Sequence, residues 1–158
     1  ERIETAPVLC GLPRRALSPR SRMNATIVAG DAPTGPDAEG WTVDTAEAVD
    51  HVTCSLELRW SIRDARGLAE SLQLLAGLES ERDEHEWSAI LHGAAEMQRD
   101  ANGLAVLPFL EPLREQSIER LEEALGAEAI ERAWRLGRSM PMEKVVAEAV
   151  SRTGPRSC

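Results

Sequence analysis

From residue 44 to about residue 151, apolar side chains return at every third or fourth position. That spacing places them on one face of a helix. Trp87, Ile90, Leu91, Ala94 and Ala95 fall at i, i+3, i+4, i+7 and i+8, and Met142, Val145, Val146, Ala149 and Val150 repeat the pattern. Each such stripe has to be buried against another element, so the chain is constrained to a helix-on-helix core.

Local signals divide this stretch into helices. Asp44 followed by Glu47 reads as an N-cap with its reciprocal acidic partner, ahead of Ala46, Val49, Val52, Thr53, Leu56 and Trp60 at helical spacing. Asp64 and Gly67 mark a break. The next helix carries Leu68, Leu72, Leu75 and Ala76 on one face and Leu74 with Leu78 on a second. A helix apolar on two sides is expected to be covered from two sides, as a middle helix of a stacked array is. Ser80–Glu84 is a polar turn, and Asp83 with Glu86 is expected to cap the Trp87 helix. Asn102-Gly103 stops that helix, and Ala101–Pro112, with Pro108 and Pro112, forms an apolar connector.

Three shorter helices are expected after it. Leu113–Leu125 would turn Ile118, Leu121, Ala124 and Leu125 inward, and Ala127–Leu136 would do so with Ala129, Ile130, Ala133 and Trp134. Gly126 separates the two, Gly137 is read as the left-handed end of the second, and Pro141 opens the third. The expected fold is all-α: TPR-like stacked antiparallel helix pairs, a partial α-solenoid over residues 44–151, with a compact bundle as the alternative.

Residues 1–43 read as irregular or disordered, because five of the nine prolines (Pro7, Pro13, Pro19, Pro33 and Pro36) interrupt them. Thr26–Ala29 has strand character without a partner strand, and Arg14, Arg15, Arg20 and Arg22 read as a solvated basic stretch. Residues 152–158, with Gly154-Pro155, read as a disordered tail. The first residue is Glu1, so a processed chain or a fragment of a longer reading frame is expected.

With 18 basic against 27 acidic side chains the formal net charge is −9, which argues against a chain that grips nucleic-acid phosphates or anionic lipid. No apolar run reaches the roughly 20 residues of a membrane span, and no signal peptide is visible, so a cytoplasmic location is expected. Cys10, Cys54 and Cys158 lack zinc-ligand spacing and read as free thiols in a reducing compartment. Trp60, Trp87 and Trp134 read as core anchors and Trp41 as a side chain docking on the first helix. Without Tyr and with one Phe, stacking platforms for bases are lacking.

Candidate chemistry is sparse. His85 and His92 are seven residues apart, and His92 and Glu96 are four apart, an interval that supports metal pairs, but no third ligand follows at helical spacing. A metal-dependent hydrolase using His85, His92 and Glu96 is the weakest alternative, and the histidines read as surface or partly buried side chains. There is no phosphate-binding glycine loop and no nucleophile elbow, and Glu79, Glu81, Asp83, Glu84 and Glu86 read as a solvated turn. No catalytic residue, cofactor site or metal site is assigned, and the chain is read as a non-enzyme.

Longer text carries a resemblance. It consists of Arg66-Gly67-Leu68-Ala69-Glu70-Ser71-Leu72 with Leu75-Ala76-Gly77; Leu91-His92-Gly93-Ala94-Ala95-Glu96 with Arg99; and Leu125-Gly126 through Ala133-Trp134, Gly137-Arg138 and the Met142–Val150 helix. From about Leu56 to Val150 the chain resembles the C-terminal tetratricopeptide-like region of bacterial multidomain signalling ATPases. These are the STAND and LuxR-type regulators, or predicted ATPases linked to winged-helix or cyclase output domains. The resemblance implies a regulatory protein-interaction scaffold in signal transduction, restraining an ATPase that this sequence lacks. Gly93 and Ala94 are small where two helices would cross closely. Expected partners are a protein or the missing ATPase and output domains, with no direct nucleic-acid or membrane contact. The alternative is a free-standing bundle that homodimerises through Leu74, Leu78 and the 104–113 connector.

Overall fold

A computed structural model describes residues 44–153. All regular structure there is helical: α1 (Thr45–Ser61), α2 (Ala65–Glu81), α3 (His85–Asn102), α4 (Glu111–Leu125), α5 (Ala127–Ser139) and α6 (Met142–Thr153). The expected irregular segment, its basic stretch and Trp41 lie outside the described residues, as does the tail beyond Thr153.

The first three helices start twenty residues apart, at Thr45, Ala65 and His85. Both connections are built alike. Arg63 and Asp83 take left-handed φ of 58° and 62°. Asp64 N–H and Glu84 N–H then reach back to the carbonyls of Arg59 and Glu79 at 2.9 and 3.0 Å, the closing bond of a Schellman-type helix end. Such short turns reverse the chain, so α1, α2 and α3 run as antiparallel neighbours. This corrects the expected capping role of Asp83. Asp83 occupies the left-handed position, Glu84 precedes α3, and no side chain caps that helix. Asp44 and Asp64 do cap, accepting from Ala46 and Glu47 N–H and from Gly67 N–H respectively, while Glu47 faces His51 instead of closing a capping box. Asp44→Ala and Asp64→Ala should each lower unfolding free energy by about 1 kcal/mol in urea titrations.

A single core joins the helices: Val49 and Leu56 from α1, Leu68, Leu72 and Leu75 from α2, Trp87, Ile90 and Leu91 from α3, Leu121 from α4, Ala133 from α5, and Val145, Val146 and Ala149 from α6. As expected of a middle helix, α2 packs on α1, α3 and α4. The last helix returns to the first, since α6 packs on α1 and α3. One expected anchor differs: Trp60, on the last turn of α1, is 40% exposed. Leu74, on the second apolar stripe of α2, is also solvent-facing. Cys54, half-buried on α1, is disulfide-bonded, which overturns the free-thiol reading at that position. Wide spacing in sequence says nothing about spatial approach. Cys10 and Cys158 lie outside the described residues.

The crossing of α3 and α5 is a close one. A Cβ at Gly93 would stand 2.1 Å from the Trp134 carbonyl oxygen, and one at Gly137 would stand 1.9 Å from that of Ile90. Backbone lies directly on backbone, on glycines at both sides. This matches the close approach expected at Gly93. It corrects the role of Gly137, which is buried inside α5 and does not end it. The helix runs on to Ser139 because what its sequence needs at Gly137 is space, not a left-handed turn. Gly103 and Gly126, with φ of 61° and 74°, are the glycines that end helices.

Candidate functional site

The most unusual feature of the interior is a line of buried polar side chains linking α2, α3 and α4. Arg99 Nη1 donates to Gln73 Oε1 at 3.2 Å, Gln73 Nε2 lies 3.1 Å from His92 Nδ1, and His92 Nε2 lies 2.9 Å from Ser117 Oγ. His92 is fully buried, and Ser117, Gln73 and Arg99 are nearly so. The imidazole lies parallel to the Trp134 indole of α5, with centroids 5.3 Å apart and planes at 6°.

The chain of donors fixes its own direction. Arginine can only donate, so the Gln73 amide must present its oxygen to Arg99 and its NH2 to His92. His92 Nδ1 is then an acceptor, and the proton sits on Nε2, where it is donated to Ser117. Protonating Nδ1 would set two donors face to face. Burial opposes the charge first, and the Arg114 and Arg99 guanidiniums oppose it further, so the His92 pKa is pushed down to about 3. Ser117→Ala would leave Nε2–H without an acceptor and should cost about 1–3 kcal/mol of stability by urea titration.

The sequence-derived metal candidates are not assembled. Both ring nitrogens of His92 are used inside the core. Glu96 accepts the Trp134 Nε1–H and is bridged by Arg138 at 3.0 Å. His85 sits at the start of α3 with Nε2 3.6 Å from Asp83. Among the described residues no group of three or more His, Cys, Asp or Glu side chains is placed to hold a metal ion. Deep burial of Ser117 and His92 also keeps this Ser–His pair from any substrate, although the spacing of its atoms would suit a nucleophile and a base.

Sequence reasoning missed this polar line. Its signal was present: Ser88, His92 and Arg99 occupy the same face of α3 as Ala95, and Ser117 stands four residues before Leu121 on the inner face of α4. Polar residues at core positions need partners, and these partners come from sequence separations of 19 to 26 residues.

The solvent-facing surface offers apolar side chains in separate places. Leu58, Trp60 and Ile62 stand at the end of α1, and Phe109 and Leu113 at the connector. Leu110, in the same connector, is buried and anchors it. An open groove between α4 and α5 is bordered by Glu122, Ile130, Trp134 and Arg138. Among the described residues no helix is long and apolar enough to cross a membrane. No protein family, curated protein or solved structure matches this chain.

Proposed function

We propose that the helices form a non-catalytic scaffold for protein interaction, TPR-like in stacking antiparallel pairs, and that the chain is the C-terminal part of a bacterial signalling ATPase or transcriptional regulator. The observation that carries this reading is the α3–α5 crossing. Its two glycines fall in the "GAAE" and "AW…GR" text on which the resemblance rests, so the most recognisable letters are those with a packing duty. Gln73, His92, Arg99 and Ser117 are turned inward and paired with one another, while the surface carries apolar side chains and an open α4–α5 groove. Helix pairs here recur at forty residues, from Thr45 to His85, which is longer than the about 34 of a tetratricopeptide unit. The return of α6 to α1 closes the array on itself, unlike a solenoid in which each repeat touches only its neighbours.

Calorimetric titration of the 158-residue chain with ATP and magnesium tests the first half of the reading. No saturable heat is expected, and tight binding would contradict it. A second reading, a homodimer through the connector, is favoured by the exposure of Phe109 and Leu113 at 56% and 51%. Light scattering over a dilution series separates the two: a mass that halves on dilution supports the dimer, and a constant monomer mass excludes it.

A further inference from the structure

Cys54 carries a disulfide, and the sequence offers Cys10 and Cys158 as its intrachain partners. At about 100° per residue, Cys54 stands roughly 140–160° around α1 from Val49 and Leu56, which enter the core. It is nevertheless half-buried. So is Glu57, one turn on, which is also engaged by another group. The outer flank of α1 is therefore partly covered, as well as its inner face.

The helix best placed to bring a cysteine there is α6, which lies mainly on α1 and touches α3 lightly. Near its end Arg152 stacks on the Trp87 ring at 4.7 Å and pairs with Glu84 at 3.5 Å, both at the start of α3. Thr45 borders the same recess as Asp83 and His85, so the last turn of α6 lies at the Thr45 end of α1. From Thr45, Cys54 is nine residues along the helix, about 14 Å. Cys158 stands five residues beyond Thr153, a reach of about 17 Å, to which a disulfide adds about 5–6 Å between Cα atoms. Cys10 stands thirty-four residues before Asp44, and closing a segment of that length is about fifteen- to twentyfold less favourable.

We propose that Cys54 and Cys158 form a redox-reversible latch that ties the last turn of α6 to the outer flank of α1. Met142, Val145, Val146 and Ala149 anchor the earlier turns of α6 in the core, but beyond Ala149 no described side chain is fully buried. The Arg152–Glu84 pair is half-exposed and holds that turn weakly by itself. The covalent bond therefore sets how often it opens. Reduction is a two-electron exchange with a dithiol. One thiolate of the dithiol attacks the Cys158 sulfur, the Cys54–Cys158 bond breaks, and Cys54 leaves as a thiolate that takes a proton. The second thiol then releases Cys158 as a thiol, and the dithiol ends as a cyclic disulfide.

The test combines disulfide mapping with hydrogen exchange on the full chain. Tryptic digestion of the unreduced protein, alkylated at free thiols beforehand, should yield residues 157–158 joined to residues 23–59, with Cys10 alkylated. Amides 150–153, followed by NMR, should exchange about tenfold or more faster in dithiothreitol, while amides 72–76 of α2 stay unchanged. Cys158→Ser should reproduce the faster exchange without reductant, and Cys10→Ser should change nothing. A Cys10–Cys54 link, a covalent dimer, or a Cys158 that is alkylated in the unreduced chain overturns the proposal. So does exchange at 150–153 that ignores reduction, or a rise shared equally by amides 72–76.

Discussion

Gly137→Ala should destabilise the fold by about 3 kcal/mol or more, although alanine is the better helix former. The new Cβ would stand 1.9 Å from the Ile90 carbonyl oxygen, 2.8 Å from its carbon and 3.1 Å from the Ala94 nitrogen. These are main-chain atoms of a packed helix, so no side chain can swing away, and α3 and α5 must separate. Gly93→Ala meets the Trp134 carbonyl from the other side and should cost a similar amount. Gly77 is the internal control. It lies within α2 with nothing within 4 Å of its Cβ position, so Gly77→Ala should stabilise by about 0.5–1 kcal/mol through helix propensity alone. Urea unfolding followed by tryptophan fluorescence gives all three values. Equal effects at Gly77 and Gly137 would remove the crossing from the account.

Acid should unfold this protein through a neutral histidine. His92 has a folded-state pKa of about 3, well below its usual 6.5. Below pH 6.5 the unfolded chain binds the proton that the folded chain refuses, so stability falls as pH drops from 6.5 toward 3 and is fully present above 6.5. The slope approaches about 1.4 kcal/mol per pH unit from this one group, enough to exhaust a typical domain's margin within a few units. Glu79 acts in the opposite sense. Burial raises its pKa above 4.5, against the pull of Arg82, so the folded state holds its proton more readily and the contribution is lost as pH rises. His92→Gln should therefore be less stable at pH 7 but show a shallower decline between pH 6.5 and 4.5. Unfolding free energies measured in urea at half-unit intervals check this, and an unchanged slope in the variant would assign acid lability to other groups.

The contrast between Gly137 and His92 shows what could be read from the sequence. The stripes Trp87–Ala95 and Met142–Ala149 were legible because a helix must bury such a face whatever it meets, and both are buried. Gly93 was legible as a contact point because it interrupts a stripe of alanines and leucines. Gly137 was misread, since a glycine near the end of a helical pattern has two uses and only the neighbouring helix decides between them. His92 was harder. Its neutral tautomer depends on Gln73 and Ser117, which come from two other helices, and on an arginine that orients the amide. No local pattern holds that information. For the same reason Asp83 read as a cap: the residue type was right, but its φ of 62° places it one position too early.

The central claim is an interior in which Gln73, His92 and Ser117 hold one another in place. The His92 imidazole nitrogens report on this most directly, through long-range proton–nitrogen NMR spectra of the full chain between pH 8 and 5. The account predicts a proton fixed on Nε2, slow to exchange with water, and no titration over that range. An imidazole that titrates near pH 6.5 and exchanges freely would show a solvent-reached base beside a serine hydroxyl, and would return the molecule to the enzymes.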